Sequence, residues 1–398
     1  MAVNTMTINQ LATVLASIVS QATGKTGLTA TNTADFVSVG KLGLETGYDT
    51  LSTAISNVLS KTIFSIRPYR AKFASIEKDP IRWGNHVRKI NFADTGFDSA
   101  DDRILLTDGV AVDQQVVKKP AAVQTNFYGE NVYQKHVTIY KDQLDVAFSS
   151  PEEFGRFITG VMQTVDDELE QARENTARET VANLIGGHYY MDNQSITNGT
   201  CVVHLLTEYN AWAGTTLTAA TVYDPSNFPG FARWLCGRIA VLSRLLSERT
   251  ANYHLASINS SPYIMRHTPV ENQRLFMTAE PMQQMATNVL STTFNDEYLK
   301  TIPREDVTFW QAINDPMSVN LTAGYITAAG APASHAVSLS KIVYGVLFDE
   351  EAAGYTMVNE WANPAPFNAR GGYTNMFWHR TVRYYNDFSE NAVVLLLD

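Results

Sequence analysis

A single long run of helical periodicity is the sequence feature that most constrains the fold. Three capping signals open this run, an N-cap serine, a first-turn proline and a capping-box glutamate, at Ser150, Pro151 and Glu153. Apolar side chains then recur at helical spacing from Phe154 to Leu184, and the pair Gly186 and Gly187 is predicted to end the helix. A helix of about 35 residues would be roughly 50 Å long. We therefore predict that it spans the whole subunit.

Predicted strands flank this helix in the sequence. Three short β-prone runs precede it, at residues 87–92, 121–128 and 137–140. Four more runs follow near the end of the chain, at residues 342–348, 355–358, 376–385 and 391–397. The intervening segment combines helical patterns at 231–246 and 282–290 with a predicted central strand at 253–259 and loops at 193–221 and 319–333. This mixture predicts an α+β fold.

The strands before the long helix enclose an acidic stretch. Residues 98–113 hold five aspartates and one arginine, for a net charge of −4. Segment 80–140 has little apolar alternation, so we predict a two-stranded arm that leaves the core. An isolated two-stranded ribbon is only marginally stable. We therefore expect this arm to be ordered by contact with a neighbouring subunit.

The N-terminal segment has an unusual composition, because residues 1–24 carry no charged side chain. A capping box at Thr7 and Gln10 and a helical stripe predict an amphipathic helix over residues 7–20. The stripe includes Ile8, Leu11, Leu15 and Ile18. We expect this face to pack on its own subunit or on a neighbouring one. A Gly- and Thr-rich connector is predicted over residues 22–48, followed by a second helical pattern at 51–59.

Composition excludes several classes of protein. Hydrophobic residues make up 45% of the 398, which is enough for a core, whereas charged residues make up only 18%. So little charge fits a surface that is largely buried against other copies. The net charge of −10 argues against tight DNA binding by the whole chain. No apolar run is long enough for a transmembrane helix, and two cysteines are too few for a disulfide framework.

No motif for catalysis, cofactor binding or metal binding stands out. The eight histidines are scattered, and neither a Gly-x-Ser-x-Gly elbow nor a Gly-x-Gly-x-x-Gly loop occurs. The segment Gly24-Lys25-Thr26 has the end of a P-loop without its first glycine or preceding strand. We therefore predict no catalytic residue, no cofactor and no metal site, and hence no enzyme.

The order of elements resembles the major capsid proteins of tailed bacteriophages, which have the Hong Kong 97-like fold. The run 151–187 resembles the spine helix, the preceding β arm resembles the E-loop, and strands 342–397 resemble the closing strands of the P-domain. Residues 371–397 look like those strands in capsid proteins of short-tailed phages, including the phi-twenty-nine-like group. The resemblance implies these parts: an N-arm with helices (1–79), an E-loop-like arm (80–140), a P-domain spine (141–189), an A-domain (190–341) and returning P-domain strands (342–398).

The resemblance also implies a function and partners. The chain would assemble with itself, in hexamers and pentamers, into an icosahedral head shell around double-stranded DNA held non-specifically. A separate scaffolding protein and a portal would take part, in the host cytoplasm, and no membrane would be involved. The arm would contribute an acidic interface through Asp98, Asp101, Asp102, Arg103 and Asp108. The basic residues predicted to receive it are Arg67, Arg70, Lys72, Arg82 and Arg88.

Two other functions remain open from the sequence. A non-viral shell of the encapsulin type shares the fold, and its cargo groove would use the uncharged helix 7–20. An enzyme of an unrecognised α+β family is the other alternative, because missing motifs do not disprove catalysis. Electron microscopy of the purified protein would separate a shell from a soluble enzyme.

Overall fold

The computed structural model describes most of the chain. The described residues are 8–30, 33–59, 72–79, 87–93, 97, 101–115, 117–119, 122–197, 199–257, 264–288 and 303–398. The helices in these ranges are α1 (Ile8–Thr23), α2 (Thr33–Glu45), α3 (Tyr48–Leu59), α4 (Lys141–Ala147), α5 (Pro151–Asn193), α6 (Leu205–Ala213), α7 (Phe228–Ser247) and α8 (Ala279–Asn288). The strands are β1 (Val87–Phe92), β2 (Ala122–Phe127), β3 (Gly129–Tyr140), β4 (Val202–His204), β5 (Gln273–Thr278), β6 (Arg304–Val307), β7 (Val319–Ile326), β8 (Pro332–Leu339), β9 (Val343–Asp349), β10 (Ala353–Pro364), β11 (Tyr373–Asn386) and β12 (Ala392–Leu396).

The long helix α5 begins as predicted, but it is longer than expected. The Ser150 hydroxyl accepts a hydrogen bond from the Glu153 backbone N–H at 3.2 Å, which caps the first turn. The helix continues for 43 residues and is about 65 Å long. The prediction that Gly186 and Gly187 end it is wrong. A Cβ on Gly187 would lie 2.5 Å from the Phe388 ring, so this glycine allows close packing within the helix.

A five-stranded sheet, in the order β4-β12-β9-β5-β6, forms the centre of the larger core. Every residue of β9 and of β12 is buried, as expected for strands that are covered on both faces. Along β9, Val343, Val346 and Phe348 pack towards α5, whereas Tyr344 and Leu347 pack towards α6 and α7. The sheet therefore lies between α5 on one face and the α6–α7 pair on the other.

A second sheet, in the order β10-β11-β3, packs against α5. Strands β11 and β3 pair antiparallel, with Trp378 opposite Lys135. The buried face of β11 carries Met376, Trp378 and Val382. Residues 342–398 were predicted as one set of returning strands. The pairing instead divides them, because β10 and β11 lie in this sheet whereas β9 and β12 lie in the five-stranded one.

The N-terminal helices cover the spine and the three-stranded sheet. Leu11, Leu15 and Ile18 of α1 are buried in one cluster with Phe154 and Trp378. The side chain of Ile8 lies outside the described residues. The predicted connector at 22–48 is wrong in its middle, because α2 occupies residues 33–45 and packs Phe36 against Phe154 with ring centroids 5.7 Å apart.

Three further predictions for the segment after α5 are wrong. Residues 253–257 form no strand, because Tyr253 adopts a left-handed φ of 68° that a ladder does not accommodate, and the central place in the five-stranded sheet is taken by β9. The predicted loop at 319–333 is largely the β7–β8 hairpin, which packs on α5. The predicted loop at 193–221 contains β4 and α6. Threonine and alanine in these segments are compatible with strand and helix once tertiary contacts support them.

Candidate functional site: the arm and its anchor

The acidic segment predicted as an arm begins and ends in a short ribbon. Strands β1 and β2 pair antiparallel from Val87 opposite Phe127 to Phe92 opposite Ala122, and we call this ribbon the arm base. Every residue from 101 to 115 is exposed, and we call this stretch the arm tip. The predicted interface residues Asp101, Asp102, Arg103 and Asp108 therefore all lie at the surface. Asp98 lies outside the described residues.

Charges within the arm tip pair locally. The Arg103 guanidinium donates to the Asp101 carboxylate at 3.2 Å and 2.8 Å, and this hydrogen bond lowers the pKa of Asp101. The Asp113 carboxylate accepts a hydrogen bond from the Gln115 backbone N–H at 2.8 Å. These contacts join residues only two apart in the sequence. They shape a loop, but they provide no core beneath it.

The arm tip also exposes a run of apolar side chains. Ile104, Leu105 and Leu106 are 80%, 62% and 66% exposed, and Val110 and Val112 of the same loop are exposed too. Single exposed apolar residues are normal, whereas a contiguous group of them marks an interaction surface. The aspartates of this loop were predicted as an interface from the sequence, whereas these apolar side chains were not. The apolar surface could have been predicted from the sequence, because Ile104-Leu105-Leu106 is an apolar triplet inside an acidic loop.

The arm base is held to the core by a partly buried ion cluster. The Lys89 ammonium lies 2.9 Å from Asp387, 2.5 Å from Glu390 and 3.1 Å from Glu351. The side chains of Asp387 and Glu390 are almost completely buried. Burial by itself would lower the pKa of Lys89, but attraction to Asp387 and Glu390 outweighs burial and raises it. Burial raises the pKa of Glu390, and the two nearby cations oppose that shift.

A second cation extends this cluster to a loop of the larger core. The Arg266 guanidinium donates to the Ser389 carbonyl at 3.0 Å and to the Asn91 side-chain oxygen at 2.7 Å, and it lies 3.0 Å from Glu390. Residues 89–91, 266 and 387–390 thus meet at one place, although they are up to 301 positions apart. We call this set the anchor. It fixes the arm base, whereas the arm tip is exposed.

The predicted basic partners are spread over the described surface. The Lys72 backbone N–H donates to Glu174 at 3.2 Å, and its ammonium donates to the Thr308 hydroxyl at 3.3 Å. Arg88 is exposed on β1, beside the anchor. Arg67, Arg70 and Arg82 lie outside the described residues.

The described residues offer little for chemistry. They contain no group of three or more His, Cys, Asp or Glu side chains that could hold a metal ion. His188 is fully buried, and burial lowers its pKa to about 3, so it is a neutral core residue. His254 is buried too, with its Nε2 2.7 Å from the Ile264 carbonyl oxygen. No helix in the described part of the chain is long and apolar enough to cross a membrane.

Solved structures share this fold. A chain in the capsid structure of Staphylococcus phage Andhra is similar with a TM-score of 0.53 at 9% identity, covering 85% of this chain and 87% of that chain. A chain in the structure of the head fiber and inner core protein gp22 of native bacteriophage P68 is similar with the same TM-score, identity and coverage. The fold is therefore one that occurs in phage virions, and the predicted α+β capsid fold is confirmed.

The sequence identifies the family. The family model described as "Phi29-like phage major capsid protein" matches residues 15–396, and the chain belongs to that family. It is a structural subunit of a phage head shell and assembles with copies of itself. No curated protein matches the chain. Family membership confirms the phage interpretation and favours it over the encapsulin and enzyme alternatives.

Proposed function

We propose that the chain forms hexamers and pentamers that close into an icosahedral shell around double-stranded DNA, and that the arm tip of each subunit docks on a neighbour. The exposed apolar and acidic arm tip on an anchored base is the observation that carries this proposal. Such a surface is unfavourable in a free subunit. A neighbour that covers it would bury the apolar side chains and pair the aspartates.

The apolar side chains should provide most of the docking energy. Full burial of one leucine or isoleucine contributes about 1.5–3 kcal/mol, so Ile104, Leu105 and Leu106 together could contribute several kcal/mol. A surface ion pair contributes only about 0–1 kcal/mol. The aspartates then determine where the arm binds more than how strongly. Because each contact repeats around a closed shell, small contributions add.

Other partners are proposed from family membership and from the net charge of the chain. DNA would be held weakly and without sequence preference, because the chain carries a net charge of −10. A separate scaffolding protein and a portal would guide assembly in the host cytoplasm. The shell would have no catalytic activity, because the family is one of structural capsid subunits.

The experiment compares assembly of variants by electron microscopy. Leu105→Ser with Leu106→Ser should leave the melting temperature of the free subunit unchanged and should prevent shell formation. Ile313→Ser is the matched control, because Ile313 is 75% exposed outside the arm. The control should form shells like the parent. Shells formed equally well by the arm variant would overturn the proposal.

Salt dependence tests the charges separately. Replacing Asp98, Asp101 and Asp102 with asparagine removes three of the five aspartates in residues 98–113. We expect the parent shell to lose stability as salt rises, because salt screens surface ion pairs. The variant should be weaker at low salt and should respond less. An equal salt response in both would assign the aspartates to an ordinary solvated loop.

A further inference from the structure

A row of alternating charges crosses the contact between α5 and the β10–β11 pair. The Arg173 guanidinium of α5 pairs with Glu77 and lies 3.3 Å from Glu170, in the preceding turn of the helix. Glu170 lies 3.6 Å from the Arg380 guanidinium of β11, which in turn lies 3.1 Å from Glu360 of β10. This row joins the segment before the arm base, the long helix and two strands of the second sheet.

The arginine on β11 is buried but incompletely bonded. The side chain of Arg380 is 8% exposed, and its Nη2 donates to the Glu360 carboxylate at 3.1 Å. Its Nε and Nη1 atoms have no hydrogen-bond partner, and the 3.6 Å separation from Glu170 is too long for a hydrogen bond. A buried donor without an acceptor destabilises a fold, so these two unused donors require an explanation.

A carboxylate that could accept from these donors lies nearby on α5. Asp166 is half-buried and lies four residues before Glu170, on the same face of the helix. Burial and the nearby Glu360 carboxylate together raise the pKa of Asp166, although Arg380 opposes the shift, so Asp166 lies within electrostatic range of both. Asp166 accepts no hydrogen bond from any of the described residues.

The two carboxylates belong to different parts of the fold. Glu360 is directly opposite Arg380 in the β10–β11 pairing, so it moves with the sheet, whereas Asp166 moves with the helix. A guanidinium is a planar fork of N–H donors that can bind carboxylates on two sides. A small rotation of the guanidinium, or a small slide of the strands along α5, would therefore bring the unused donors to Asp166.

We propose that Arg380 exchanges between two carboxylates, Glu360 of β10 and Asp166 of α5, and that this exchange lets the β10–β11 pair shift on α5. Each arrangement keeps the buried guanidinium paired, so the strands can move without leaving a buried charge uncompensated. The purpose of the exchange rests on the proposed function, because hexamers and pentamers would place one sequence among neighbours at different angles. The exchange itself is a property of the free subunit.

A double-variant cycle in the unassembled subunit tests the exchange. Glu360→Gln should cost little stability, because Arg380 can then pair with Asp166. Asp166→Asn should cost nothing, because Asp166 accepts no hydrogen bond in the observed arrangement. The double variant removes both partners, so its equilibrium constant for unfolding in urea should exceed the product of the two single effects by about fivefold or more.

The matched control is Glu360→Gln combined with Glu179→Gln. Glu179 is an exposed carboxylate of the same helix, so these two effects should multiply without excess. If the effects of Glu360→Gln and Asp166→Asn also simply multiply, Arg380 is fixed on Glu360 and the inference is overturned.

The remaining outcomes separate the exchange from the proposed function. A double variant that fails to fold, while both single variants fold like the parent, would be the strongest form of the expected excess. An excess in a chain that forms no shells would support the exchange and overturn the proposed function. Shells without an excess in the cycle would overturn the exchange and leave the proposed function intact.

Discussion

The anchor makes a specific prediction for the variant Lys89→Met. Lys89 is 24% exposed and faces two almost completely buried carboxylates, Asp387 and Glu390, with Arg266 as the other cation of the anchor. Removing one partner of a buried ion pair costs about 3–5 kcal/mol, because a buried charge is left without compensation. Partial exposure and the raised pKa of Glu390, which lets that group become neutral, reduce the cost. We expect the free energy of unfolding to fall by about 2–3 kcal/mol.

Urea unfolding of the unassembled subunit measures this loss. With a slope of about 2–3 kcal/mol per molar urea, the midpoint should fall by about 1 M. Lys119→Met is the matched control, because Lys119 is an exposed lysine of the same arm, and its midpoint should not change. Adding Asp387→Asn to Lys89→Met should recover part of the loss, since it removes one uncompensated charge. The reasoning would be refuted if the midpoint of Lys89→Met equalled that of the parent, or if the free-energy losses of Lys89→Met and Asp387→Asn simply added in the double variant.

The effect of pH on the anchor follows from the direction of each pKa shift. The pKa of Lys89 is raised in the folded chain, so its stabilisation is fully present below the ordinary lysine value of about 10.4 and is lost as pH rises through the raised pKa. The difference between parent and Lys89→Met should therefore be constant near neutral pH and should shrink above about pH 10.4. The pKa of Glu390 is also raised, so this group by itself favours the folded state as pH falls. Alkali, and not mild acid, should loosen the arm base.

Three further predictions concern the core. Gly187→Ala should destabilise the subunit by about 1–3 kcal/mol, because the added methyl group overpacks against an aromatic ring. Gly160→Ala, on an open stretch of the same helix, should stabilise the subunit by up to about 1 kcal/mol. Thermal melts of the two variants measure this difference. Leu169→Ala removes a buried spine residue and should cost about 2–5 kcal/mol in urea unfolding; a loss below 1 kcal/mol would mean that this face is not core. Burial raises the pKa of Cys236 to about 11 and raises that of Cys201 further, so at pH 8 both thiols should react with a maleimide far more slowly than after unfolding in urea.

Signals confined to a few neighbouring residues were readable in the sequence. The start of α5 was predicted from Ser150 and Glu153 because an N-cap is a contact between residues three apart. Strand β1 was predicted at residues 87–92, where it is observed. The α+β class and the family resemblance followed from the order of such local elements, and both are confirmed. The predicted apolar stripe from Phe154 to Leu184 also includes Ile158, whose side chain lies outside the described residues.

Which residues of these elements contact each other was determined by the tertiary structure. Gly187 was interpreted as a helix stop, because the ring of Phe388 that it makes room for lies about 200 positions away in the sequence. The sequence did not distinguish Lys89 from the other lysines of the arm, because its contacts with Asp387 and Glu390 form only in the folded chain. The division of the last strands between two sheets depends likewise on partners far along the chain. A single sequence carries the propensity and charge of each residue, but the pairing of distant residues depends on how all the elements pack at once.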